Sequence, residues 1–217
     1  MSLSMRFALA TLLFSGFSLP ALADNVSYQV TIDTSSQDGN YGYIDLELNA
    51  DSVSGAGPVV ATVSDFSGAT LDPSDSNNDE LGTASGSLPG PLTLDNSGFN
   101  DYFEGMTFGS DITFDVTLSG AGVSLTDDAA YTSSSTLAAV FYDAGIANNL
   151  FVSDPDTGAA AELSVQPDGS VQSTGPVTLA VAATPEPGCL PLILSGCTII
   201  LLAKRSRRRV MHTVSAL

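Results

Sequence analysis

The chain has 217 residues, of which 24 are acidic and only 6 are Lys or Arg, so its formal net charge is −18. The stretch from Asp24 to Thr184 has no Lys, Arg, His or Cys, yet it holds every acidic residue except Glu186. A body without cations lacks the phosphate contacts that nucleic-acid binding needs, and it cannot build a Cys/His zinc site or a His-dependent triad. We therefore expect no nucleic-acid partner and none of these enzyme classes.

The N-terminal end has the three parts of a secretory signal peptide. Arg6 supplies the positive charge, and Phe7 to Leu19 form an apolar stretch too short for an ordinary membrane span. Ala21 and Ala23 then provide the small residues of a cleavage site. We expect signal peptidase to cleave after Ala23, so that residues 1–23 are removed.

The C-terminal end also has three parts. Pro185, Glu186 and Pro187 come first, then an apolar stretch at 189–203, then a basic cluster at 204–209. At about 1.5 Å per residue, the apolar stretch predicts one transmembrane helix that is slightly short for a hydrocarbon core of about 30 Å. The positive-inside rule then keeps the basic cluster in the cytoplasm and the acidic body outside. The cations of the cluster are Lys204, Arg205, Arg207, Arg208 and Arg209.

This order of parts resembles the PEP-CTERM sorting signal, found on exported proteins of Gram-negative bacteria that make extracellular polysaccharide. The resemblance covers residues 184–209. It implies that exosortase, a membrane enzyme, recognises Pro185, Glu186 and Pro187, and that the basic cluster acts as a cytoplasmic stop. Residues 210–217, predicted as a cytoplasmic tail, are a departure, because such signals usually end soon after the basic cluster.

The body alternates apolar and polar residues, which is the pattern of half-buried β-strands. Apolar residues occupy every second position at 26–32, 44–48 and 112–118. Their polar neighbours, such as Asp45 and Glu47, are predicted to face solvent. Less regular strands are predicted at 59–66, 82–88, 92–94, 137–142, 150–152, 160–165 and 177–181.

Turn residues separate these strands. Asp38-Gly39 predicts a hairpin between the first two, and a helical turn is predicted near 100–104. Many short strands with such turns predict an all-β fold: one antiparallel β-sandwich, jelly-roll-like, over residues 24–170. Residues 171–184 are predicted to hold the last strand and a linker.

Segments 28–34, 87–90, 99–109 and 114–120 of the body resemble an uncharacterised family of exported PEP-CTERM proteins. The family spans most of the chain between the two terminal signals. It implies no known activity, so this resemblance indicates a class of protein without naming a ligand.

Calcium is the best cofactor hypothesis, because hard cations prefer oxygen ligands. Asp75, Asn77 and Asp79 have the Asp-x-Asn-x-Asp spacing that opens an EF-hand loop, although Glu80 stands where that loop has Gly. With Asp72 nearby, these residues form the first candidate site.

A second candidate calcium site is formed by Asp154 and Asp156, with Glu162 close in sequence. The alternative for both candidates is a solvated acidic loop. No other cofactor is predicted.

Together these patterns predict an exported, non-enzymatic surface or extracellular-matrix protein, associated with exopolysaccharide or biofilm. Its expected partners are signal peptidase and exosortase during processing, the inner membrane transiently, and polysaccharide. One alternative is a carbohydrate-binding or calcium-stabilised adhesin module, with a sugar-contacting face that uses Tyr28, Tyr41, Tyr43 or Tyr102. The other alternative is a carboxylate-based glycosidase, but the absence of Trp disfavours it.

Overall fold

The computed structural model describes residues 25–123 and 131–180. Within these ranges the chain is all-β and its strands pair in antiparallel fashion, as the alternating sequence predicts. The strands are β1 (Val26–Asp33), β2 (Tyr41–Ala50), β3 (Val60–Leu71), β4 (Asp79–Leu81), β5 (Ser85–Gly86), β6 (Leu92–Asp95), β7 (Asp101–Ser119), β8 (Ser135–Asp143), β9 (Asn149–Leu150), β10 (Ala161–Val165), β11 (Val171–Thr174) and β12 (Val177–Ala180).

Backbone hydrogen bonds join these strands into one sheet, ordered β11-β10-β8-β2-β7-β3-β6-β5 along its main path. Strand β7 is 19 residues long, several times the length of an ordinary strand. On one side its first half pairs with β2 and its second half pairs with β1, and β3 runs along the other side. β4 also pairs with β7, β9 with β8, and β12 with β1.

The strand pairing is irregular where β7 changes partner from β2 to β1. On β3 the register shifts between Ser64 and Ala69, a β-bulge that bends the strand. Asp65 and Gly68, inside this bulge, have positive φ angles of 55° and 92°. On β7, Ser110 and Asp111 are exposed at the same level. We call these segments, 34–40, 65–68 and 109–111, the corner.

The predicted hairpin at Asp38-Gly39 is wrong. Strands β1 and β2 pair with β7 one after the other, and within the described residues they do not pair with each other. The Gly39 N–H donates to the Phe108 carbonyl at 2.8 Å, and the Phe108 N–H donates to the Asn40 carbonyl at 2.9 Å. An Asp-Gly pair indicates a tight turn, but the partner of the next strand depends on contacts distant in sequence.

The predicted helical turn near 100–104 is also wrong, because these residues begin β7. Every second side chain is buried from Tyr102 to Phe108 and again from Ile112 to Leu118, so both halves of β7 enter the core on one face. Residues of β1, β7, β8, β10 and β12 line one small, partly open cavity of about 10 Å³. That space is about the size of one water molecule, so these strands pack closely against each other.

The sheet continues to Ala180. β11 pairs with β10, and β12 pairs with β1. The part of the predicted linker at 171–174 is therefore a strand, and the predicted strand at 177–181 is β12.

No helix in residues 25–123 and 131–180 is long and apolar enough to cross a membrane. The predicted membrane span at 189–203 lies outside these ranges. The other predictions outside the described residues are the signal peptide with Ala21 and Ala23, the motif Pro185-Glu186-Pro187, and the basic cluster Lys204, Arg205, Arg207, Arg208 and Arg209.

A substitution at Gly68 tests whether the corner contributes to the stability of the fold. A Cβ atom at this position would lie 1.7 Å from the Asp111 carbonyl oxygen, and the φ of 92° disfavours any side chain. We predict that Gly68→Ala lowers the free energy of unfolding by about 2 kcal/mol or more, measured by urea unfolding of the full-length chain.

Gly98→Ala is the matched control, because a Cβ atom there meets nothing within 4 Å. It should change the free energy of unfolding by less than about 1 kcal/mol. Equal losses in the two variants would contradict the structural role given to the corner.

Candidate functional site

Three carboxylates meet on the sheet face opposite the core, where β2 lies between β7 and β8. Asp45 and Glu47 are two residues apart on β2, so they point to the same face. Leu46 pairs with Tyr102, which places Asp101, the first residue of β7, beside Glu47. One carboxylate oxygen from each of the three residues lies within 4.8 Å of the others. We call Asp45, Glu47 and Asp101 the carboxylate cluster.

The prediction that Asp45 and Glu47 face solvent is wrong for Asp45, which is only 7% exposed. Glu47 and Asp101 are half-buried. The cross-strand partners of Asp45 are Phe103 and Val140, both apolar. Alternation in one strand separates the two faces of a sheet, but it does not reveal that neighbouring side chains cover the second face.

No N–H or hydroxyl group donates to two buried oxygens of the carboxylate cluster, namely Oδ1 of Asp45 and Oδ1 of Asp101. The Asp45 and Asp101 side chains hydrogen-bond to each other instead, which requires a proton on one of the two carboxyls. Other atoms of the cluster are bonded. The Tyr142 hydroxyl donates to Asp45, and the Asn49 amide donates to Oε2 of Glu47 at 2.8 Å. Most buried polar atoms have partners, and leaving one without a partner is costly. Without the shared proton these two oxygens, called the orphan oxygens below, would have no partner, so the cluster depends on a proton or a cation from solution.

Burial and mutual repulsion make it unfavourable for all three carboxyls of the cluster to be charged together. Burial raises the pKa of Asp45 to about 8, and the charges of Asp101 and Glu47 add to the effect. Burial likewise raises the pKa of Asp101, the hydrogen bond with Asp45 acts against this rise, and the charge of Asp79 adds to it. Burial with the charge of Asp101 raises the pKa of Glu47. With no bound cation, Asp45 therefore keeps its proton at neutral pH.

Asn100 fixes the end of β7 that carries Asp101. Its buried side chain accepts from the Leu48 N–H at 2.8 Å and donates to the Leu48 carbonyl at 2.6 Å, so it continues the pairing with β2. The same amide nitrogen donates to the Asp95 carbonyl at 2.7 Å. Asn100 is thus a positioning residue for the carboxylate cluster, and no local sequence signal indicates this role.

Aromatic rings continue the same face beyond the cluster. Tyr43 stacks on Phe103 with ring centroids 4.9 Å apart, Phe103 lies 5.9 Å from Tyr142, and Tyr41 meets Tyr43 edge-on at 5.6 Å. Tyr43 is only 3% exposed, so this row packs on itself.

The sugar-contacting face predicted from four tyrosines is wrong for three of them. Tyr28, Tyr43 and Tyr102 are buried, and Tyr41 is half-buried. A buried ring cannot stack on a sugar, so these residues form no exposed platform.

The first candidate calcium loop is tied to the aromatic row. The Tyr41 hydroxyl donates to Oδ2 of Asp75 at 2.5 Å, and the Asn77 amide donates to the Tyr43 hydroxyl at 2.9 Å. The bond from Tyr41, followed by the one from the Asn77 N–H, lowers the pKa of Asp75. Three of the predicted ligands are therefore near these hydroxyls, since Asp72 lies 3.4 Å from the Tyr41 oxygen.

The other two residues of this loop lie on β4. Asp79 pairs with Phe103 and Glu80 with Tyr102, and both Asp79 and Glu80 are exposed. Oδ1 of Asp79 accepts from the Glu80 N–H at 2.9 Å. Within the described residues, the loop brings no three carboxylates as close together as the carboxylate cluster does. Calcium binding by Asp72, Asp75, Asn77, Asp79 and Glu80 stays a prediction.

The second candidate calcium site is a turn. Oδ1 of Asp154 accepts from the Asp156 N–H at 2.8 Å, and the Asp154 carbonyl accepts from the Gly158 N–H at 2.8 Å. Glu162 lies on β10, and its Oε1 atom is buried without a partner. These residues also form no group of three carboxylates in the part of the chain that the structure describes, so this site stays a prediction.

Glu104 is a second buried carboxyl, and it lies on the core side of β7 with 5% exposure. The Tyr102 hydroxyl donates to its Oε2 atom, and the Leu88 N–H donates to that hydroxyl at 3.0 Å. Burial raises the pKa of Glu104. Glu104 and Glu80 line an open cleft of about 260 Å³. Unlike Asp45, Glu104 leaves no orphan oxygen.

Comparison of the chain with protein-family models, with curated proteins and with solved structures finds no match.

The raised pKa of Asp45 predicts a pH-dependent stability. The folded chain holds this proton more tightly than the unfolded chain, so its contribution favours folding at low pH and is lost as pH rises from about 4 to about 8. In the presence of a chelator, Asp45→Asn should remove this contribution. It should also raise the free energy of unfolding at pH 8 by about 1–3 kcal/mol.

Urea unfolding at several pH values measures the difference between the two chains. The groups that face Asp45 are Glu47, Asp101 and Tyr142, and they are unchanged in this variant. Asp38→Asn, at an exposed position, is the charge-matched control and should leave the pH profile unchanged. A profile that is the same for Asp45→Asn and the original chain would refute the prediction.

Proposed function

We propose that this chain is an exported, non-enzymatic protein of the cell surface or extracellular matrix, sorted by a PEP-CTERM signal and associated with exopolysaccharide or biofilm. The single observation that supports this most is the order of parts at 185–209: Pro-Glu-Pro, an apolar stretch and a basic cluster. An apolar stretch with flanking cations on one side orients a single span, with the body outside.

The charge distribution supports the same proposal. All six Lys and Arg residues lie at 6 or within 204–209, in the two predicted signals, and the body between them has none. Loss of both signals would leave a strongly acidic domain, and a high net charge keeps a secreted protein soluble and monomeric. We infer that the folded sheet is a jelly-roll-like sandwich, because residues of β1 and β7 line the same small cavity as residues of β8 and β10.

The composition of the body supports a non-enzymatic role. Its acidic side chains and tyrosines are the only ionisable groups available for catalysis between Asp24 and Thr184. A glycosidase needs two carboxylates that face each other across a bound sugar. The most closely grouped carboxylates, those of the cluster, lie side by side on one sheet face, where Asp45 is buried and Glu47 and Asp101 are half-buried, and do not face each other across a groove.

A second candidate is a calcium-stabilised adhesin module, and the carboxylate cluster is the observation that favours it. Its orphan oxygens are suited to a cation, whereas the buried tyrosines disfavour the related carbohydrate-binding alternative.

The sorting proposal predicts the mass of the mature protein. Expressed in a Gram-negative host that has an exosortase, the chain should lose residues 1–23 and the basic cluster at 204–209. We expect Glu186→Ala to keep the basic cluster and to stay in the membrane fraction, because the recognition motif is altered. Intact-mass spectrometry of the exported and membrane fractions measures both outcomes.

Glu80→Ala is the control, since it removes an equal charge from an exposed position of the body. It should be processed like the unaltered chain. If the unaltered chain keeps the basic cluster in this host, or if Glu186→Ala is processed normally, the sorting proposal is wrong.

A further inference from the structure

We propose that Asp45, Glu47 and Asp101 bind a hard divalent cation of the calcium class, at a site on the sheet and separate from the acidic loops. The site needs only the folded body, so it stands or falls independently of the sorting signal.

The spacing of the three carboxylates fits one ion. Calcium binds oxygen at about 2.3–2.6 Å, so two ligands on opposite sides of one ion are about 5 Å apart. In the carboxylate cluster, one oxygen from each residue lies within 4.8 Å of the other two. An ion between them could contact all three, with water completing the shell on the side of the half-buried Glu47 and Asp101.

The orphan oxygens provide a second indication of a ligand, because only a shared proton or a cation can satisfy them. Asp45 is more than nine-tenths buried, and no N–H or hydroxyl group donates to its Oδ1 atom; its hydrogen bond with Asp101 needs a proton. Oδ1 of Asp101 is in the same condition. Glu104 shows the contrast, because a tyrosine hydroxyl donates to this equally buried carboxyl. The fold provides an N–H or hydroxyl donor for Glu104 and none for these two oxygens, and a cation that replaces the proton shared by Asp45 and Asp101 would satisfy both.

The charges in the body also favour a bound cation at the cluster. Carboxylates placed beside each other on neighbouring strands repel. The sequence between Asp24 and Thr184 has no Lys, Arg or His that could offset this repulsion. A positive charge at the cluster must therefore come from solution.

The ligand atoms also select the class of cation. All three residues offer carboxylate oxygen, which hard cations such as calcium and magnesium prefer. Nitrogen and sulfur ligands, which zinc and copper favour, have no source between Asp24 and Thr184 because that stretch has no His or Cys. The irregular set of two β2 residues and one β7 residue suits calcium better than magnesium, which demands near-octahedral geometry.

Terbium luminescence tests the site directly. Tb³⁺ takes calcium sites, and nearby tyrosine sensitises its emission; the chain has no Trp to compete. Tyr142 donates to Asp45, so an ion in the cluster would lie beside this ring. We expect tyrosine-sensitised emission from the full-length chain in detergent, and we expect calcium to abolish it by displacement.

Three doubly neutralised variants locate the ion, each losing two negative charges. Asp45→Asn with Asp101→Asn should weaken terbium and calcium binding at least ~10-fold, since it removes ligands and not merely their supporting groups. Asp75→Asn with Asp79→Asn, and Asp154→Asn with Asp156→Asn, remove the same charge from the two loops and should bind like the unaltered chain.

Thermal melting shows whether a variant that loses cation binding is still folded. The cluster variant should be folded and melt no lower than the unaltered chain in chelator, because it removes repulsion, but added calcium should no longer raise its melting temperature. The proposal is overturned if the unaltered chain binds neither terbium nor calcium at millimolar concentration. It is also overturned if the cluster variant binds normally, or if a loop variant alone loses binding.

Discussion

The pairing of β7 with its neighbours along the whole strand is the interaction on which the fold and the candidate site both depend. At one end β7 sets Asp101 beside Glu47, and further along it carries Phe108 and Ile112 into the core. Because side chains alternate, a slip of one residue would exchange the two faces, moving Asp101 inward and Tyr102 outward. The register that buries the core is therefore the register that assembles the carboxylate cluster, and Asn100 holds the start of that register with two hydrogen bonds to Leu48.

Because the body has no Lys, Arg or His, its carboxylates must be stabilised by hydrogen-bond donors, by solvent, or by a proton or cation from outside. Exposed carboxylates such as Asp33 and Asp168 accept local hydrogen bonds from Ser hydroxyls and N–H groups, which lower their pKa values. Glu104 is buried but accepts from a tyrosine. The carboxylate cluster has neither enough donors nor full solvent, so it must hold either a proton or a cation from outside. A protein exported into a medium that supplies calcium would not need cationic side chains to build such a site.

The sequence predicts the fold class well and the candidate site poorly, for physical reasons. Alternation at 26–32 and 112–118 reports burial of one sheet face, a local property, and the structure confirms it. Burial of Asp45 depends on Phe103 and Val140 in other strands, and its meeting with Asp101 depends on a register set by contacts distant in sequence. The EF-hand-like spacing around Asp75 is a local pattern, and for this reason the sequence predicts calcium binding in a loop and not on the sheet. The sequence does not predict the start of β7, because polar residues near 100–104 interrupt the apolar alternation. Asn100 and Glu104 are nevertheless buried, since each has a hydrogen-bond partner inside the fold.

The central claim is that the carboxylate cluster is a cation site, and a crystallographic measurement tests it most directly. Crystals grown with calcium and with a chelator would be compared in anomalous difference maps. The account predicts one peak among Asp45, Glu47 and Asp101, about 2.3–2.6 Å from their oxygens, that disappears with the chelator. A map without that peak in crystals grown with calcium, in which Asp45 and Asp101 keep the hydrogen bond that they form without an ion, would contradict the claim.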